Sequence, residues 1–496
     1  MKNINTLIKN KLKEKKMSID TFISKSDMSK STIYRVMKGY QKPSEELIEK
    51  IIKILNLNPL EQRELRYYGN LANTDEDILS ARDEVLNLLY KSDTREPDKI
   101  ELVYYDGEKY IHTFNKILNN LLSLSGKDEF SCSFRLINCC QDSILEPLYT
   151  TISQLMKTKK PYTIEHLVHF STYNLKENIM ILSEIIPLLA LDNYSVRYCE
   201  TDSTSGNSIF CDFLIIDYSY NDESNKLVKT HLYITFLREH LSACYVADSE
   251  NIQDFFERSY KSLQYEYRLA LNNQKKFEVL GVLFAELEMT YDTILFKPNP
   301  CYNRIPFSVY ESMKGRNSEE AVRYFMNSYL CDNVTDFESQ LNELLTYIKV
   351  RIKASFDKNQ MDIFTRKGLE SFASTGMLSD HLEAIPPFNA KEIKATLEYI
   401  MSRDADKKDT YNFYIMKNDE YSNEDLLITV FKKHGLIIEY NNPKYKANDA
   451  PYCFIEHQGI STAFSDFAEN YVPIMLAMPQ KEAHNFINSL IEKYCY

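Results

Sequence analysis

The run from Ser18 to Ser44, S-I-D-T-F-I-S-K-S-D-M-S-K-S-T-I-Y-R-V-M-K-G-Y-Q-K-P-S, leaves the backbone few choices. Ser18 is a good helix N-cap, since its hydroxyl can accept a free N–H of the first turn. Ile19, Phe22 and Ile23 then fall on one face at helical spacing. Ser26, Asp27 and Met28 make a turn, and Ser29 caps a second helix. Ile33 and Val36 of that helix point inward, which leaves Lys30, Ser31, Thr32, Arg35 and Lys38 outward. Gly39 suits the left-handed residue that ends a helix. Pro43 forbids continuation. Ser44 caps the next helix, whose first turn holds Glu45 and Glu46, the sign that a helix N-terminus favours.

Upstream, Ile4, Leu7, Ile8 and Leu12 give a first helix. Downstream, Leu47, Ile48, Ile51, Ile52 and Leu55 form one apolar side, and Asn58–Pro59 starts a fifth helix. The central pair is a helix-turn-helix, a geometry that lays its second helix against the edges of DNA bases. Met1 to about Tyr68 resembles the Xre/Cro, or lambda-repressor-like, regulators of bacteria and phages, chiefly over S-T-I-Y-R-V-M-K-G-Y-Q-K-P-S at Ser31 to Ser44. That resemblance implies that the helix from Ser29 to Lys38 is the recognition helix. It puts Lys30, Ser31, Thr32 and Arg35 in the major groove and Ser18, Lys38 and Lys42 on phosphate. A repressor-type transcription regulator that binds double-stranded DNA is expected, as a homodimer because the head alone buries too little surface for tight binding. The sequence departs from the family at three places: Ile19 stands where Gln is common, Ile23 where a small residue is common, and Asp27 where Gly is common.

The chain has 496 residues and a net charge of −12, the wrong sign for a DNA binder until it is divided. Residues 1–53 carry 13 Lys and Arg against 6 Asp and Glu, a net of +7, which leaves −19 on the rest. A basic head on an acidic body suits a protein in which only the head meets phosphate. The opening M-K-N-I-N-T-L-I-K-N-K lacks the apolar core of a secretory leader. The most apolar stretch, Ile179 to Leu191, is broken by Ser183, Glu184 and Pro187 and is too short to span a bilayer. The ten cysteines are scattered, with no C-x-x-C pair, and read as reduced thiols. A cytoplasmic protein without a membrane segment is expected.

The body changes texture along its length, and the fold class expected is mixed: an all-α N-terminal domain followed by a large α/β (α+β) body. Residues 1–70 are the helix-turn-helix domain, and 71–128 a helical linker or dimerisation segment with a strand candidate at Asp98 to Asp106. Residues 129–274 form a first α/β lobe. Strands around residues 130–138, 162–168, 194–199, 209–218, 231–236 and 241–246 alternate early with helices, and a helix from Ser249 to Ala270 closes the unit. Residues 275–385 read as mainly helical, with a long helix over Asp336 to Phe356. Residues 386–496 are a second α/β lobe. Two similarities point to duplication: L-Y-I-T-F-L-R-E-H (232–240) with L-L-I-T-V-F-K-K-H (426–434), and C-Y-V (244–246) with C-F-I (453–455). A two-lobed α/β body is similar in layout to the phospholipase D-like fold. Its H-x-K-x-x-x-x-D pattern is missing: Tyr233 holds the Lys position after His231, and the second copy has no His there.

Motifs for other chemistry are absent. There is no G-x-G-x-x-G, no phosphate-cradling G-x-x-x-x-G-K-[ST] and no G-x-S-x-G elbow, and Gly is scarce at 11 residues. The pair in H-L-V-H, His166 and His169, would point to opposite faces of a strand and so not share a metal. Asp212 and Asp217 read as strand-end residues rather than a catalytic pair. No catalytic residue, metal ligand or cofactor is therefore assigned, and the body is expected to sense a small-molecule or peptide effector, to set the oligomer, or both. Two alternatives stay open: a peptide-pheromone-responsive regulator with a helical-repeat body, and a DNA-tethered phosphodiesterase-like enzyme.

Overall fold

The computed structural model describes residues 4–73, 78, 81–82, 85, 108–140, 142–191, 193–201, 212–236, 243–246, 257–258, 260–262, 264, 267–270, 276–313, 345–346, 348–353, 358–379, 387–405, 410–418, 426–440 and 451–496. The N-terminal domain is five helices: α1 Ile4–Glu14, α2 Ile19–Ser26, α3 Lys30–Lys38, α4 Glu45–Leu55 and α5 Pro59–Asn73. Their apolar stripes close on one small core that holds Ile8, Phe22, Ile33, Val36, Ile51 and Leu65. α2 ends on Asp27 and α4 on Asn56, both left-handed, the conformation that short polar side chains tolerate best after Gly.

After helix α6 (Glu108–Leu124) the chain builds two mixed sheets. In the first, β1 (Ser131–Ile137), helix α7 (Asp142–Lys157), β2 (Tyr162–Ser171), helix α8 (Leu175–Ile185) and β3 (Tyr194–Thr201) give three parallel strands. A meander of β4 (Asp212–Asn221), β5 (Leu227–Phe236) and β6 (Ala243–Val246) then pairs antiparallel on the other side of β1. Pro187 ends the regular helix, so Ile186–Ala190 continues only as a 3₁₀ turn. The helix expected to reach Ala270 stops earlier. Arg268–Leu269 is extended and adds to β3 as a short antiparallel strand, β7, because β3 would otherwise present a free edge there.

The second sheet repeats this plan. After helix α9 (Lys276–Thr290), β8 (Thr293–Phe296), β9 (Gln360–Phe364) and β10 (Tyr411–Ile415) are parallel. β11 (Leu426–Phe431), β12 (Gly435–Tyr440) and β13 (Tyr452–Ile455) form the antiparallel meander beside β8. The two orders, β6-β5-β4-β1-β2-β3 and β13-β12-β11-β8-β9-β10, are the same. Even the centre matches: Phe134 sits between Ile164 and Ile216, and Phe296 between Ile363 and Ile428. The duplication is therefore real in topology but shifted by one strand from the sequence similarity. β11 corresponds to β4, not to β5 with its L-Y-I-T-F, while β13 does correspond to β6.

Residues 275–385 also need correction, since they supply β8 and β9 at the heart of the second sheet. Both strands are short, and β9 carries Asp362 fully buried in its middle, so neither shows the apolar alternation that marks a strand. The strand expected at Asp98 to Asp106 lies outside the described residues, as do most residues of the helix expected over Asp336 to Phe356. Helices α10 (Phe307–Met313), α11 (Arg366–Thr375), α12 (Ala390–Ala405) and α14 (Gln480–Tyr494) cover the outer face of the second sheet.

The inner faces of both sheets share one apolar cluster, which joins Phe134, Val168 and Ile216 to Phe296, Ile428 and Ile438. Helix α13 (Gln458–Asp466) and the π-helical turn that continues it (Phe467–Leu476) belong to the same cluster through Phe464, Phe467 and Val472. No described helix is long and apolar enough to cross a membrane.

Gly376 ends α11 at φ 70°, and a Cβ there would lie 2.1 Å from the carbonyl oxygen of Phe388. Gly376→Ala is expected to destabilise the fold by on the order of 1–3 kcal/mol, the cost of a non-Gly residue in that conformation, before any clash is relieved. A thermal midpoint equal to the wild type's would refute this.

Candidate nucleic-acid interface

α3 is held at both ends by its own sequence. The N–H of Thr32 donates to Ser29 Oγ at 3.1 Å, and the Thr32 hydroxyl lies 2.7 Å from the same oxygen. At the other end Gly39 is left-handed at φ 82°, and the N–H groups of Gly39 and Tyr40 donate to Val36 and Arg35 carbonyls at 3.0 and 2.9 Å. Ile33, Val36 and Met37 are buried, which fixes the rotation of the helix about its axis. Ser18 caps α2 in the same way, with its oxygen accepting from Thr21 N at 3.1 Å. α5 starts on a reciprocal cap between Asn58 and Glu61, both bonds 2.9 Å. The Asn58 backbone N–H holds the Glu61 carboxyl below its ordinary range, and Lys11 and Lys15 add to that.

With the rotation fixed, Lys30, Ser31 and Arg35 project from one exposed face, and Lys38 and Lys42 flank it. Ser31, Arg35, Lys38 and Lys42 have no side-chain partner among the described residues, so their donors face water. Thr32 is only half exposed, and its hydroxyl is engaged at the cap. Ser18 is exposed, with its hydroxyl shared between Thr21 N–H and Thr21 Oγ1. Lys30 is 3.7 Å from Asp20 of α2, and Tyr34 donates to the same carboxylate at 3.4 Å. Asp20 and Tyr34 thus belong to the surface too, as does Tyr40, which is 76% exposed just beyond Gly39. Sequence spacing along one helix could not reveal Asp20, because its partners lie on the next helix. Tyr40 carried a readable signal, an aromatic between two lysines after a helix stop.

The N-terminal domain is tied to the body through α5. Arg82 grips Asp466, the last residue of α13, with both Nε and Nη2, the latter at 2.8 Å. The pair is buried, at 4% and 10% exposure, and Arg82 lies over the Tyr67 ring of α5 at 6.0 Å. Asn70 of α5 donates to Asn470 at 3.5 Å, and Asn470 in turn donates to Asp466 at 2.9 Å.

The other sequence candidates fall elsewhere. His166 faces the core, donating its Nε2–H to the Asn138 carbonyl at 2.6 Å and accepting from the Tyr194 hydroxyl at Nδ1, while His169 faces outward to Asn138 and Tyr267. Burial pushes both imidazoles down to about 4. No group of three or more His, Cys, Asp or Glu side chains among the described residues is arranged to hold a metal ion. Asp212 opens β4, but Asp217 is not a strand-end residue: it sits mid-strand, bound to Arg135 and His231.

Residues 8–62 match the family model described as Helix-turn-helix. No curated protein matches the chain significantly. The segment is therefore an Xre/Cro-type helix-turn-helix domain, and at that level the protein is a DNA-binding regulator. That match lies within the N-terminal domain and does not bear on the body.

Two outcomes are expected. Arg35→Ala should weaken DNA binding by about 1–3 kcal/mol with the domain still folded, measured by gel shift beside a circular dichroism spectrum. Arg82→Ala leaves Asp466 buried without its cation, a loss of about 3–5 kcal/mol for such pairs. Faster amide hydrogen exchange across 59–73 is the readout.

Proposed function

We propose that this protein is a cytoplasmic, sequence-specific transcription repressor that binds a palindromic DNA site as a homodimer. The acidic body senses an effector, sets the oligomer, and carries out no chemistry of its own. The observation that carries this reading is the capped, rotationally fixed α3, whose Arg35, Lys38 and Ser31 donors are unspent. Such a face can satisfy phosphate oxygens and guanine N7 and O6 only if a duplex approaches it.

A single domain of this size contacts few base pairs, so two copies on half-sites about 34 Å apart, one helical turn, supply the affinity. The rest of the chain is far larger than dimerisation requires, which supports a sensing role. The Arg82–Asp466 pair, with Arg82 lying over Tyr67 of α5, offers the route: a change in the body that moves α13 moves the base of the DNA-binding domain. Two mixed sheets speak against the helical-repeat receptor. Tyr233 in place of the Lys after His231, and the missing His of the second copy, speak against the tethered enzyme.

Footprinting of the full chain on the region upstream of its own gene tests the proposal. Protection of a two-fold symmetric site is expected, and the slope of log affinity against log salt should fall by about 1 for each phosphate-contacting lysine removed, Lys38 or Lys42. Equal affinity for random DNA at physiological salt would overturn it.

A further inference from the structure

The outer face of the first sheet carries a cavity of about 370 Å³. Its floor is a row of directly paired residues: Thr163 on β2, Ser133 on β1, Asp217 on β4 and His231 on β5. Lys229 stands two residues before His231, on the same face of β5. Short hydroxyl side chains at the centre of the row leave the hollow.

The charges in this hollow are already sorted. Arg135 donates to Asp217 and, with two nitrogens, to Glu257. Burial pulls the Arg135 guanidinium down, but Glu257 and Asp217 together hold it above its ordinary value, and Arg135 in turn holds Glu257 below its own. The second oxygen of Asp217 takes the Nδ1–H of His231 at 2.6 Å. Both oxygens of Asp217 are thus spent, and the cavity offers no open acid to a cation. The groups left open are the Lys229 ammonium, the Ser133 and Thr163 hydroxyls and His231 Nε2, none of which has a partner among the described residues. Nε2 can accept from a protonated oxyanion or, as imidazolium, donate to a deprotonated one.

The duplicated sheet shows the alternative. There the corresponding row holds Asp362 and Thr429 on either side of Leu295, and the chain fills the space itself: Arg304 lies 3.3 Å from both Asp362 oxygens and from Thr293. The first sheet supplies its own Arg135 from two residues along β1, on the same face as the row, and leaves the space above the row open.

We propose that this cavity binds the phosphoryl group of a small phosphomonoester, with Lys229, His231, Ser133 and Thr163 as the oxygen-binding groups. The inference rests on the reading of the body as a sensor and names the class of its effector. Four converging donors suit the three terminal oxygens of a phosphoryl group better than the two of a carboxylate, and the cavity has the size of a small-metabolite site.

Equilibrium dialysis of the full chain against radiolabelled inorganic phosphate tests it. One saturable equivalent per chain is expected, displaced by glucose 6-phosphate and not by acetate. Lys229→Ala with His231→Gln should weaken it by about tenfold, on the order of 1.4 kcal/mol, with the circular dichroism spectrum unchanged. Arg35→Ala with Lys38→Ala, on the basic N-terminal face, should leave it intact. Absence of saturable binding, equal competition by acetate, or loss in the N-terminal variant with retention in the cavity variant would each overturn the assignment. Gel shifts with and without glucose 6-phosphate separate the two readings. Binding at the cavity without any change in DNA affinity upholds the site and removes the sensing role. Specific DNA binding with no phosphate site removes the site alone.

Discussion

The apolar core shared by the inner faces of the two sheets is the constraint on which the rest of the body depends. Each sheet has parallel strands fed by helical crossovers, and such strands need cover on both faces. Their outer faces are covered separately, the second sheet by α10, α11, α12 and α14. Their inner faces are covered by each other and by α13 with its π-helical continuation. Apolar burial is non-directional and scales with area, so the pairing of two like faces needs no specific bond. Topological duplication supplies the like faces.

That core also fixes where the DNA-binding domain sits. α13 is packed against β11 and β12 on one side, and at its start His457 lies 3.5 Å from Asn178 of α8 in the first lobe. Its last residue, Asp466, is the one that Arg82 grips. One short helix therefore touches both lobes and the base of the N-terminal domain. A buried, bidentate ion pair is a poor source of net stability but a strong source of register, because either ion alone would be stranded. The N-terminal domain could pack by α5 in other ways; Arg82 and Asp466 select one.

The outer faces show how one plan diverges. Arg135 and Lys297 occupy the same place after the paired phenylalanines Phe134 and Phe296, and each meets acids on its own sheet. In the second lobe Lys297, Glu439, Arg304 and Asp362 are all within 4% of full burial, and the ions pair inside the protein. In the first lobe the same rows remain half exposed, with the hydroxyls of Ser133 and Thr163 where the second lobe has Leu295 and Asp362. Burial of ions is tolerated where each finds a partner, and the open copy is free to offer its donors outward.

The N-terminal domain was legible because its determinants are local. Caps act within three residues, as Ser29 does on Thr32, and an apolar stripe repeats every three or four. The same spacing puts Lys30, Ser31 and Arg35 on the outer face without reference to any tertiary contact. The strands with strong alternation, such as β1 and β2, were legible for the same reason. β8 and β9 were not, since four or five residues with a buried Asp362 show no period. The true equivalence of β11 with β4 was hidden because it lies in strand pairing, not in side-chain likeness. The sequence alone determined a helix-turn-helix domain with a basic face, since that information is carried by neighbours along the chain. Only the tertiary structure decided that Arg82 meets a residue 384 positions away and that two sheets close on one core. Such contacts depend on which surfaces complement each other in space, and no short stretch of chain records that.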